Sequence, residues 1–86
     1  MKLHLVRMSK AQGRARFPGV EGFEARVVRA PEAVGESRMY LVLEGELIID
    51  LPDESYLHLR RNEAAHLQQP HKLVPVDSAV VVVWKP

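Results

Sequence analysis

Residues 40–51, YLVLEGELIIDL, carry the clearest pattern of apolar and polar positions in the chain. Met39, Leu41 and Leu43 fall on one side of an extended chain and Tyr40 and Val42 on the other. Glu44–Gly45 interrupts the run, which predicts a hairpin with strands at 38–44 and 46–51. Pro52, Asp53 and Glu54 then form a turn cluster. Upstream, FEARVVRA at 23–30 places Phe23, Ala25 and Val27 on one face and stops at Pro31, so 31–37 reads as a loop. Downstream, strands are expected at 56–60, 64–67, 73–76 and 79–84, separated by Arg61–Asn62 and a proline-containing loop at 68–71. Residues 5–13 lack a sustained helical period, and Gly13, Pro18, Gly19 and Gly22 punctuate the segment 13–22. Residues 1–22 are therefore expected to be an N-terminal arm with at most one short strand, and no helix longer than one or two turns is predicted. Short strands spaced by turn signals predict an all-β domain, a small antiparallel barrel or jelly-roll-like sandwich, with its core in 23–86.

Several strands are apolar on both faces, and Val80, Val81, Val82 and Val83 run without alternation. A sheet with one wet face would alternate. These strands are expected to face a barrel interior on one side and a second layer, or another subunit, on the other.

Composition narrows the partners. With 86 residues the chain is one domain, near the size at which a single core is only just sufficient, so a homodimer is expected. A formal charge of +1, from 12 basic and 11 acidic residues, favours neither nucleic acid nor an anionic membrane. The absence of cysteine excludes disulfides, thiolate nucleophiles and cysteine-based metal sites. The longest apolar run, 79–84, is far short of the roughly 20 residues of a membrane span. No charged-then-apolar leader opens the chain, and a cytoplasmic location is expected.

From Arg38 to Leu73 the order of features resembles the cupin family of small β-barrels. The resemblance rests on YLVLEGEL, with Gly45 at the glycine that ends the first cupin motif, and on NEAAHLQQPHKL, which is similar to a worn second motif. Asn62–Glu63 stands where cupins usually carry Gly-Asp, and Pro70–His71 where they carry a proline loop and a histidine. The resemblance implies a cupin-like barrel and marks where its metal ligands would lie. Counting back from Gly45, Arg38 occupies the usual glutamate position. The two usual histidine positions fall within 31–34, which contains no histidine and offers only Glu32 as a remnant ligand. Of the ligand set only His71 carries over, and one imidazole does not hold a catalytic metal.

In that register Arg38 points into the barrel with Tyr40 and Val42. A buried guanidinium needs a carboxylate or an anionic ligand, and Glu36, Glu24 and Glu63 are the candidate partners if the ligand is absent. The expected function is therefore binding of a small, possibly anionic, molecule by Arg38, Tyr40, His71 and Gln69, without the family's metal or any other cofactor. One alternative is an oxygenase or isomerase with a divalent transition metal on His66 and His71. Another is a structural or interaction domain with a filled barrel. His58 is expected to face solvent, as are Glu44 and Glu46 at the hairpin tip. Trp84 is expected in the core or at a subunit interface. The basic positions Arg7, Lys10, Arg14 and Arg16 read as a solvated arm without the aromatics of a nucleic-acid footprint.

Overall fold

The computed structural model describes residues 2–85. One helix among them, α1 (Leu5–Gln12), precedes seven strands: β1 (Arg14–Arg16), β2 (Phe23–Val28), β3 (Glu32–Val34), β4 (Arg38–Asp50), β5 (Tyr56–Leu59), β6 (Ala64–Leu67) and β7 (His71–Trp84). Every pairing is antiparallel. The long strands β4 and β7 pair from Met39–Trp84 to Asp50–Lys72 and form the spine. At one end β2 and then β1 extend the sheet from β7, and β6 extends it from β4. At the other end β3 joins β7 and β5 joins β4. Both halves contribute to one buried cluster, in which Tyr40, Val42, Val81 and Val83 meet Leu47, Ile49 and Leu73. This is the small all-β barrel that the strand pattern predicts.

The predicted hairpin at Glu44–Gly45 does not form: residues 38–50 are one continuous strand. Glycine is instead required by an irregularity in the ladder. Val42 opposes Val81 and Glu44 opposes Val80, so β4 carries one extra residue, and a further shift follows between Gly45 and Leu47. The extra residue reverses the facing of β4. Tyr40 and Val42 point inward before it, and Leu47 and Ile49 after it. Strict alternation would instead have driven Glu44, Glu46 and Ile48 into the core. Gly45 takes a φ of 80°, and a Cβ there would collide with the Ser78 carbonyl oxygen.

The two strands expected at 73–76 and 79–84 are likewise one, β7, whose odd-numbered residues Leu73, Ala79, Val81 and Val83 all join the interior cluster. The loop expected at 31–37 contains β3, short and paired only to β7. The arm contains α1, which is two turns long. His4 caps it by accepting the Arg7 N–H at Nδ1, and Gly13, at φ 86°, closes it with its N–H on the Ser9 carbonyl. Leu5 and Met8 pack with Ala15, Ala25 and Val82 in a second cluster outside the barrel. The second apolar layer predicted from the two-faced strands is thus met in part by the chain's own helix.

Candidate functional site

The interior site is built where β4 and β7 bring Tyr40 and His71 together. Both side chains are buried, and the Tyr40 hydroxyl lies 2.6 Å from His71 Nε2. His71 Nδ1 is 2.7 Å from the Gln69 carbonyl. A carbonyl only accepts, so Nδ1 carries the proton and donates. Nε2 of the neutral ring then accepts from the tyrosine hydroxyl. The rings meet edge to face, with centroids 5.4 Å apart. Burial pushes the Tyr40 phenol above its ordinary value, and the charges of Arg38 and Arg26 pull it part of the way back.

Arg38 lies two residues before Tyr40 on β4, and its side chain is only 15% exposed. Its Nε and Nη2 both donate to one oxygen of Glu36, at 3.0 and 2.6 Å. The same carboxylate oxygen receives Lys85 Nζ at 3.2 Å. These two cations hold the Glu36 carboxyl below the usual range. On the neighbouring strands Glu24 is shared by Arg16 at 2.8 Å and Arg14 at 3.9 Å, and Arg26 meets Glu32 at 2.7 Å. Two carboxylates, Glu24 and Glu36, therefore each serve two cations. Of the acids anticipated for Arg38, Glu36 is the one that pairs. Glu63 instead accepts the backbone N–H of Arg60.

The structure thus assembles three of the predicted site residues, Arg38, Tyr40 and His71. Gln69 joins them through its main-chain carbonyl, and the residue itself is exposed. His66 does not reach His71: it is exposed on β6, opposite Met39, with its nearest polar contact at Ser37 Oγ, 3.5 Å away. On that strand Leu67 is the buried residue. His58 lies on the outside, as expected, with Nε2 2.8 Å from Glu46. Glu44 lies against Lys10 of α1. Trp84 is 51% exposed, with its ring edge toward Phe23.

This donor set does not suit the metal that the resemblance implies. Both His71 nitrogens are engaged, and the position two residues before Tyr40 carries a cation. Among the described residues no three His, Asp or Glu side chains stand together as a metal would require.

Two depressions open nearby. One, of about 560 Å³, lies under the loop between β1 and β2 and is lined by Arg16, Phe17, Val20, Phe23, Glu24, Val83 and Lys85 among others. A shallower one, of about 240 Å³, lies between Asp50–Pro52 and Pro70–Lys72 and reaches His71. Neither Arg38 nor Tyr40 lines either of them. Sequence reasoning missed Arg16 and Lys85 as site residues. The available signal was the facing of Arg14 and Arg16 in RAR and of Glu24 and Arg26 in FEAR, which places all four charges on one face once β1 and β2 pair.

Solved structures decide the fold. A cupin-2 domain protein from Shewanella frigidimarina superposes with a TM-score of 0.69 at 14% identity, covering 87% of this chain and 80% of its own. The fold is a cupin fold. A cupin superfamily protein from Desulfitobacterium hafniense superposes with a TM-score of 0.57 at 13% identity, covering 85% and 76% of the two chains. A protein from Neisseria meningitidis superposes with a TM-score of 0.73 at 15% identity over 96% of each chain. No protein-family model matches the sequence, and no curated protein matches it significantly. At these identities the likeness is one of fold, and a cupin barrel hosts many activities.

Proposed function

We propose that this cupin barrel is a metal-independent binding protein for a small anionic molecule, acting as a cytoplasmic homodimer. The observation that carries the reading is the sharing of Glu36 by Arg38 and Lys85, alongside the sharing of Glu24 by Arg14 and Arg16. A cation that shares its carboxylate retains capacity for another anion. Arg38 holds Glu36 with two N–H bonds, while Lys85 holds it with a longer contact and is half exposed. An incoming anion therefore competes for Lys85 first, and Arg38 keeps Glu36 from following it.

Titration of acetate and inorganic phosphate by calorimetry tests the reading, with the wild type compared with Arg38→Ala. Binding that weakens in the variant is expected. Equal affinity in the two proteins would sink it.

A second reading, an interaction domain whose barrel is filled by side chains, is favoured by the interior itself. Tyr40, Val42, Leu47, Ile49, Leu73 and Val81 are each no more than 1% exposed. The anion reading is preferred because its cations lie at the rim, outside that packed cluster.

A further inference from the structure

Resting on the anion-binding reading, we infer that the depression beneath the 17–22 loop is the ligand site, and that it takes an apolar monocarboxylate, aromatic or branched aliphatic. Its volume, about 560 Å³, falls within the range of small-molecule pockets. Its wall divides by chemistry. Phe17, Val20 and Phe23 supply apolar surface, and Arg16 and Lys85 supply the cations.

Each of these cations has its carboxylate in common with another, Arg16 through Glu24 and Lys85 through Glu36, so either can turn to a ligand without stranding an acid. When Arg16 turns, Glu24 stays with Arg14, and Glu21 also lines the wall, so the wall leaves room for one carboxylate and disfavours a polyanion.

The loop is built to hold this shape. The Gly22 carbonyl accepts the Lys85 N–H at 2.8 Å, which ties the loop to the end of β7. Val20 N–H closes a turn on the Phe17 carbonyl at 3.1 Å, and the Phe17 and Phe23 rings meet at 6.0 Å. Gly22, at φ 74°, leaves a Cβ only 3.2 Å from the Lys85 carbonyl oxygen, so a larger residue there would displace the pairing that positions Lys85.

Trp84, the single tryptophan, contacts Phe23 edge-on at 6.4 Å and reports on the wall without lining it. The experiment titrates benzoate, benzamide and acetate against wild type, Lys85→Met and Phe17→Ala, read by Trp84 emission and calorimetry, with circular dichroism confirming that each variant is folded. Benzoate is expected to bind roughly tenfold or more tightly than either acetate or benzamide, because only it offers both a charge-assisted bond and an apolar body. Lys85→Met should erase the advantage over benzamide, and Phe17→Ala the advantage over acetate.

Benzamide binding as tightly as benzoate, or wild type and both variants binding benzoate alike, would overturn the inference. If acetate and phosphate bind in an Arg38-dependent way while benzoate gains nothing over acetate, this inference fails and the broader anion reading stands. If benzoate binds as inferred but Arg38→Ala is without effect on any anion, the broader reading fails in its assignment of Arg38.

Discussion

The Tyr40 hydroxyl donates to Nε2 of His71 at 2.6 Å, inside the barrel and between its two longest strands. The bond satisfies the one imidazole nitrogen that the Gln69 carbonyl does not reach. Tyr40→Phe keeps the ring and strands Nε2 in an apolar setting. Such a change costs about 1–3 kcal/mol of folding stability, the desolvation penalty of an orphaned acceptor. Urea unfolding of the two proteins measures it, with an unchanged m-value expected because the barrel keeps its packing.

The same phenol links stability to alkaline pH. Burial raises its pKa in the folded state above the ordinary value, despite the opposing charges of Arg38 and Arg26. The folded protein therefore holds this proton more tightly than the unfolded chain does. The associated stability is complete below the unfolded tyrosine value and is lost as pH rises through the folded one. Wild type is expected to lose more stability than Tyr40→Phe over that alkaline interval. Parallel pH–stability curves would contradict it.

Gly45 follows the ladder shift that reverses the facing of β4 and begins the second one. A side chain there would have to tolerate φ 80° and a Cβ driven into the Ser78 carbonyl oxygen. Left-handed strain alone costs about 1–3 kcal/mol in a non-glycine residue, and the clash with backbone adds to it. Gly45→Ala should therefore be among the most damaging single-methyl additions in the chain. The midpoint of thermal unfolding, compared with that of Gly35→Ala, where a Cβ meets nothing within 4 Å, is the direct check.

That glycine also shows where the sequence stops being readable. A glycine between two glutamates and flanked by apolar runs has the local signature of a hairpin. It has the same signature when the strand continues and the anomaly lies in its partner. What distinguishes the two is the Ser78 carbonyl across the ladder, far along the chain and absent from any local window. Strands such as β2 were legible because their alternation is local. The interior placement of Tyr40 was legible because the cupin resemblance fixed a register, whereas Arg38, expected to point inward with it, pairs with Glu36 at the rim. Helix α1 was missed because only Leu5 and Met8 of its two turns pack with the outer cluster, while its fully buried position is Ser9, which no apolar period reveals. Lys85 and Arg16 were missed because their partnership with shared acids exists only once β7 pairs with β4 and β1 with β2.

Ser9 makes a further prediction. It is fully buried between α1 and the barrel, and its hydroxyl has no hydrogen-bond partner. Alanine removes the unmet polar group and is a better helix former, so Ser9→Ala is expected to stabilise the fold by about 1 kcal/mol. Denaturant unfolding would register this as a higher midpoint. A lower midpoint would mean that the hydroxyl is bonded, through water or an i−4 carbonyl.

Glu24 should set part of the acid limb of stability. Burial pushes its carboxyl up, but the hydrogen bond and charge of Arg16, with the charges of Arg14 and Arg26, outweigh burial and leave it below the ordinary range. A carboxyl depressed in the folded state contributes stability above its unfolded value, and that contribution is lost as pH falls through the folded one. Glu24→Gln cannot ionise and leaves Arg14 and Arg16 without their shared partner. The variant is therefore expected to be less stable than wild type at neutral pH, and the gap should close progressively as both proteins are taken below the carboxylate range. Glu36 and Asp53 are depressed as well, so wild type and variant both retain an acid transition, and the informative quantity is the difference between their curves. A difference that stays constant from neutral to acid pH would show that the loss comes from packing and not from the ion pairs at the rim.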